Sequence, residues 1–140
     1  MKSNGETPLF IASQKGHLEV VEYLISIGAN KEAKNKDGYT PLICASENGR
    51  LEVVKYLISA GADKEAKNND GETALIKASI RGYRKPIIDY LITAGADKEA
   101  KDNNGHTYQY YQEHPVWPKG KFYVVQKVEK MWSDENKVVD

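Results

Sequence analysis

The sequence predicts an all-α solenoid of stacked helix–turn–helix units, with projecting β-turn or hairpin loops between them. Three observations predict it. A pentapeptide returns every 33 residues, as Gly5-Glu6-Thr7-Pro8-Leu9, Gly38-Tyr39-Thr40-Pro41-Leu42 and Gly71-Glu72-Thr73-Ala74-Leu75. A second apolar segment keeps its place inside each copy, as Leu18-Glu19-Val20-Val21-Glu22-Tyr23-Leu24-Ile25 and Leu51-Glu52-Val53-Val54-Lys55-Tyr56-Leu57-Ile58. A Gly-Ala pair then closes each copy, at Gly28-Ala29, Gly61-Ala62 and Gly95-Ala96. A period in this range marks a unit that cannot bury its apolar face alone and must stack on its neighbours.

Residues 35–67 show the elements of one unit in order. Asn35-Lys36-Asp37-Gly38 is a turn cluster, with Gly38 free to adopt positive φ. Thr40 is placed to cap a helix and Pro41 to open it, because proline lacks an N–H that would be unsatisfied there anyway. The first helix is expected over about Pro41–Asn48, ended by Gly49. The second is expected over about Leu51–Ala60, where Leu51, Val54, Leu57 and Ile58 form one apolar stripe. Gly61 closes it, and residues 62–67 lead to the next turn cluster, Asn68-Asn69-Asp70-Gly71. Two helices this short are marginal alone in water. Leu9, Leu42 and Leu75 therefore share one core position, and Ala12, Ala45 and Ala78 share another where helices approach closely.

At Gly-x-Thr-Pro-Leu-x-x-Ala, Gly-x-Leu-Glu-Val-Val and Gly-Ala-Asp/Asn the chain resembles the ankyrin-repeat family. The resemblance is close over about residues 4–105 and loose over 106–132. It implies one domain, with repeats at about 4–34, 35–67 and 68–101, a divergent capping repeat at 102–133 and a frayed polar tail at 134–140. Phe10, Ile43 and Ile76 stand where the family usually has histidine, so apolar packing should replace a polar network. Ala74 replaces proline in the third copy. Lys31, Lys64 and Lys98 stand where the family often has an apolar residue, which predicts a more solvated edge.

The interruptions are informative. Gly82 to Tyr90 is one residue longer than Gly49 to Tyr56. Aligned back from Tyr90, Lys85 falls in the core position of Leu18 and Leu51. Pro86 is then expected to open the helix and push Lys85 out of helical geometry, with Tyr83 covering the gap. This is either a tolerated insertion or part of a basic spot formed by Lys77 and Arg81. Further on, Tyr108, Tyr110, Tyr111, Trp117, Phe122, Tyr123 and Trp132 crowd into residues 106–132. Phe122, Val125, Val128 and Trp132 give an apolar stripe there, as in a cap with one face packed and one in water. The first repeat shows no upstream cap, which predicts the C-terminal part of a longer array, either monomeric or weakly associated end to end.

Composition excludes several functions. Twenty basic and twenty acidic residues give a net charge of zero, against the basic face that nucleic-acid binding requires. No apolar run approaches the roughly 18 residues of a membrane span, and the N-terminus carries no signal segment. With one cysteine, the expected location is intracellular, by default cytoplasmic. No metal-ligand spacing or phosphate loop occurs, so neither metal nor cofactor is expected. His17 reads as a loop residue, in a position where the resemblance also places histidine. Cys44 shares its position with Ile11 and Lys77, which predicts partial exposure, and it is not expected to act as a nucleophile. No enzymatic activity is expected.

The resemblance implies a protein-binding module that uses its turns and first helices as a concave surface. Mapped onto this chain, the positions that differ between copies are the candidates: Tyr39, Lys36, Asp37, Glu72, Asn69, Asp70, Lys77, Arg81, Glu47 and His106. Tyr39 is the expected anchor, removable without loss of stability. The alternatives are a structural end of a repeat array, or a separate activity carried by the aromatic-rich segment 106–132. Alternating charges such as Lys64-Glu65-Ala66-Lys67 are expected to be solvated and weakly paired.

Overall fold

A computed structural model describes residues 5–80 and 84–114. These residues form α1 (Pro8–Lys15), α2 (Leu18–Ser26), α3 (Pro41–Glu47), α4 (Leu51–Ser59), α5 (Ala74–Ile80), α6 (Lys85–Thr93) and α7 (Tyr108–Glu113). No strand occurs among the described residues. The first helices open as the threonines dictate. The hydroxyls of Thr7, Thr40 and Thr73 accept the N–H groups of Phe10, Ile43 and Ile76 at 3.1, 3.2 and 3.2 Å. α3 stops one residue earlier than expected, because Asn48 caps it with its side-chain amide on the Cys44 carbonyl at 2.8 Å.

The helices form two layers. α1, α3, α5 and α7 pack side by side in chain order, and α2, α4 and α6 form a second layer with sparser mutual packing. Ala12, Ala45 and Ala78 are buried in the first layer, where the missing side-chain bulk lets the helices close up. Leu9, Leu42 and Leu75 are each 1% exposed. Phe10, Ile43 and Ile76 are buried as well, so apolar packing does occupy the position usual for histidine. The first pair differs from the others at its upstream side. Val20 is 46% exposed, whereas Val53 and Ile87 in the same position are 1% and 2% exposed. Tyr23 and Ile27 are also exposed there.

Two expectations need correction. Lys85 is not expelled from the helix; it is the first residue of α6 and Pro86 the second. Proline is tolerated in the first turn, and Lys85 turns outward to pair with Asp89 at 3.1 Å rather than bury its charge. Arg84 takes the position of Arg50 just before the helix. The added residue is therefore absorbed before Arg84. Arg81 and Tyr83 lie outside the described residues, as do the expected apolar stripe of the cap, Phe122, Val125, Val128 and Trp132, and the tail at 134–140. The second correction concerns the lysine edge. Lys98 is exposed, but Lys31 and Lys64 are half-buried. Their stems lie near Gly61 and Gly95 of the following repeat, as long aliphatic stems do on apolar surfaces.

Candidate protein-binding surface

Each turn is wound around one side chain. The Asn35 Oδ1 accepts the N–H groups of Asp37 and Tyr39 at 3.0 and 2.9 Å. Asn68 holds Asp70 and Glu72 in the same way, and Asp102 holds Asn104 and His106, all at 2.9 Å. These are Asx turns, in which a short side chain substitutes for backbone bonding. Successive turns then bond to one another. Asn69 donates its backbone N–H to the Asp37 carbonyl and its amide to the Lys36 carbonyl, both at 3.0 Å. Asn103 repeats this on Asp70 and Asn69, also at 3.0 Å.

A second ladder runs along the lead-in segments. The ammonium groups of Lys34 and Lys67 donate to the carbonyls of Lys67 and Lys101 at 3.0 Å. The carboxylates of Glu32 and Glu65 accept the N–H groups of Asp63 and Asp97 at 2.9 Å. These charges lie at an exposed edge, and beyond the expected weak pairing they bond the backbone of the next repeat. At the other end of the first helices, Arg50 and Arg84 donate from Nε to the carbonyls of Gln14 and Glu47 at 2.9 and 3.2 Å. A cation is well placed at these helix C-termini.

The candidate residues separate by depth. Lys36, Asp37, Asn69 and Asp70 are exposed at the turn tips. Tyr39, Glu47, Lys77 and His106 are half-buried. Glu72 is buried, 8% exposed, and is not a tip residue. Its carboxylate accepts the Asn68 amide at 2.8 Å and pairs with Lys77 at 3.1 Å. Lys77 also lies 3.8 Å from the Glu47 carboxylate and 5.5 Å from the centroid of the Tyr39 ring. Burial works against its ammonium, but the bond to the Tyr39 hydroxyl and the Glu72 carboxylate outweigh it and hold the pKa above 10.5. Burial likewise pushes the Tyr39 phenol above 10.0.

Lys77 is therefore an internal cation, its side chain 13% exposed, and not half of a basic surface spot. Arg81, the other half, lies outside the described residues. Tyr39 packs against the core as well as facing the surface, which corrects the expectation that it can be removed without loss of stability. His106 stacks on Tyr110 with centroids 3.6 Å apart, and Tyr110 stacks in turn on His114 at 4.3 Å. The Tyr111 hydroxyl donates to Asp102 and lies 3.3 Å from the His106 Nδ1.

Between the first two repeats the surface sinks into a cleft of about 220 Å³, lined by Glu6, Phe10, Gln14, Asn35, Asp37, Tyr39, Cys44 and Glu47. This is smaller than the roughly 300–1,000 Å³ that holds a drug-sized ligand, and closer to the scale of one side chain. Cys44 lies beneath it and is only 2% exposed, which corrects the expectation of partial exposure. Burial, aided by the Glu47 and Glu6 carboxylates, pushes its thiol up to about 12, so it is not an activated nucleophile. Among the described residues, no group of three His, Cys, Asp or Glu side chains could hold a metal. No described helix is long and apolar enough to cross a membrane.

The sequence reading missed the turn-winding roles of Asn35, Asn68 and Asp102, which show only as a polar residue three places before each turn glycine. It also missed the link between Lys77 and Tyr39. Opposite charges at neighbouring copies of two variable positions, Glu47 and Lys77, were the available signal. In comparison with known families, a model described as ankyrin repeats in three copies matches residues 1–68, and a single ankyrin-repeat model matches residues 70–103. No curated protein matches the chain.

Proposed function

The chain belongs to the ankyrin-repeat family, and on that premise we propose that it is a non-enzymatic module that binds a partner protein through its turns and first helices. Ankyrin repeats are in general protein–protein interaction modules. One observation carries the reading for this chain: a cleft opens on that surface and is lined mainly by residues that differ from copy to copy. The constant residues, by contrast, are absorbed in holding the frame. Asn35, Asn68 and Asp102 wind the turns, the glycines let them approach, and the threonines cap the helices. On this reading residues 4–101 are three repeats of one domain, and most of the expected cap at 102–133 and all of the tail at 134–140 lie outside the described residues. Val20, Tyr23 and Ile27 are exposed on the first pair, an apolar face that a further repeat or a second copy would cover.

The test uses the tips, because Tyr39 is part of the packing. A variant with Lys36→Ala, Asp37→Ala and Asp70→Ala removes exposed side chains and leaves every backbone rung intact. Affinity capture with the wild-type chain and this variant is expected to return partners that the variant loses, at unchanged melting temperature. Retention of the same partners by the variant would remove the tips from the binding surface.

A further inference from the structure

We propose that Asn104 is a site of spontaneous deamidation, and that the carboxylate formed there loosens the last described turn with time. Asparagine is among the chemically labile residues, and three of them precede a glycine in this chain: Asn4, Asn48 and Asn104. Glycine has no Cβ to shield its own nitrogen. The Gly105 nitrogen, giving its proton to solvent, attacks the carbonyl carbon of the Asn104 side chain. The bond from that carbon to the side-chain nitrogen breaks, and the nitrogen takes up a proton and leaves as ammonia. Water then opens the cyclic imide at either carbonyl, giving aspartate or isoaspartate. Water is the only co-reactant, and nothing is oxidised or reduced.

The fold separates Asn48 from Asn104; Asn4 lies outside the described residues. Asn48 is half-buried and caps α3, its amide donating to the Cys44 carbonyl at 2.8 Å. Reaction there requires the end of that helix to come apart. Asn103, Asn104 and Gly105 are all exposed, whereas Gly38 and Gly71 in the two preceding turns are buried. Each of those glycines lies against the next turn, at Asn69 and Asn103. In the closed last turn the Gly105 N–H donates to the Asp102 carbonyl at 2.9 Å, which holds the attacking nitrogen. The reaction therefore takes the opened turn, and an exposed tip opens at lower cost than a helix end inside the stack.

The product matters because of what Asn104 faces. Asp37 and Asp70 stand before the glycine in the second and third copies, but Tyr111 stands where those copies have Cys44 and Lys77. The Tyr111 hydroxyl donates to the Asp102 carboxylate. Burial and Asp102 raise that phenol to about 12, and a hydrogen bond from the Asn104 side chain works against the rise. An aspartate in its place brings a second carboxylate to a hydroxyl whose one proton Asp102 already holds, and like charges at one site repel. Isoaspartate also lengthens the backbone and shifts Gly105 away from the Asp102 carbonyl. Both products weaken the contact between this turn and α7.

The experiment ages the full chain at pH 8 and 37 °C, folded and in urea, and maps amide loss and isoaspartate by peptide mass spectrometry. In the folded chain Asn104 is expected to lose its amide about tenfold faster than Asn48, following the populations of the opened forms. Urea should bring the two rates together. Loss at Asn104 no faster than at Asn48 in the folded chain would overturn the site. The loosening is read separately. Asn104→Asp should melt a few degrees below Asn104→Gln, which keeps an amide and cyclises slowly, and the gap should close in a Tyr111→Phe background. Equal melting of the two variants would overturn the loosening. If Asn104→Asp does not fold, aged wild type against equally aged Asn104→Gln gives the same reading.

Discussion

The Lys77 ammonium lies 5.5 Å from the centroid of the Tyr39 ring, inside the roughly 6 Å over which an aromatic face attracts a cation. The two residues belong to successive repeats, so the contact ties a turn to the first helix of the next unit. It also accounts for Glu72. A carboxylate 8% exposed needs a counter-charge and hydrogen bonds, and Lys77 and Asn68 supply them at 3.1 and 2.8 Å.

Replacing Lys77 should therefore be costly. Lys77→Met leaves Glu72 buried without its cation, and a loss of about 2–3 kcal/mol is expected in urea unfolding, near the lower end for broken buried pairs. Adding Glu72→Gln should recover part of this, because the amide still accepts the Asn68 bond and carries no charge. A double variant as unstable as the sum of the two singles would show that the pair is not coupled.

Gly38 serves two purposes that can be separated. Its φ is +81°, and an added methyl would lie 2.5 Å from the Asn69 Oδ1 and 2.7 Å from the Asn69 nitrogen. Gly28 has a similar φ of +94° with nothing within 4 Å. Gly28→Ala should cost about 1–2 kcal/mol, from backbone strain alone. Gly38→Ala should cost clearly more, because the next turn must withdraw and release its rungs to Lys36 and Asp37. Equal losses in thermal or urea unfolding would mean that the close approach contributes nothing.

These two cases also show what the sequence made legible. The period, the Thr-Pro starts and the buried Leu and Ala positions could be read from single residues, because each acts within its own turn or helix. Lys77 could not, since its partners Tyr39 and Glu47 come from a different copy and its side chain could equally have faced water. Glu72 was misplaced for the same reason: position in a variable column says nothing of depth. The bonds of the lead-in charges could not be read because their partners are backbone groups one repeat away, which no charge pattern displays. The first-repeat cleft was not legible at all, because it depends on the shortness of Cys44 relative to Lys77.

Cys44 gives a direct probe of that packing. Burial first, then the Glu47 and Glu6 carboxylates, push its thiol from 9.0 up to about 12. At pH 8 the native chain should hold almost no thiolate, and labelling by a disulfide reagent should proceed only as the repeat opens. The rate is then expected to rise with urea in parallel with unfolding. Fast, urea-independent labelling of the native chain at pH 8 would show an accessible thiolate and reopen the question of its reactivity.

Tyr111 and Asp102 set a pH window for the last described turn. Burial, reinforced by the Asp102 carboxylate, raises Tyr111 from 10.0 to about 12. Burial also pushes Asp102 upward, but the Tyr111 hydroxyl and the N–H groups of His106 and Asn104 outweigh it and hold it below 3.8. The raised tyrosine contributes stability that is complete below 10.0 and lost as pH rises through about 12. The lowered aspartate contributes stability present above 3.8 and lost as pH falls through its lower folded value. Tyr111→Phe removes the hydroxyl from both terms. Its deficit against wild type should be about 1.5–3 kcal/mol near neutrality, as for a hydrogen bond to a charged group, and should shrink at both extremes. Lys77 and Tyr39 also lose stability in alkali, but they do so equally in both proteins and cancel from the difference. The His106 ring lies 3.3 Å from the Tyr111 hydroxyl, so the comparison is repeated with His106→Gln. Melting curves from about pH 3 to 11 measure the gap, and a gap that stays constant across that range would separate Tyr111 from the carboxylate it faces.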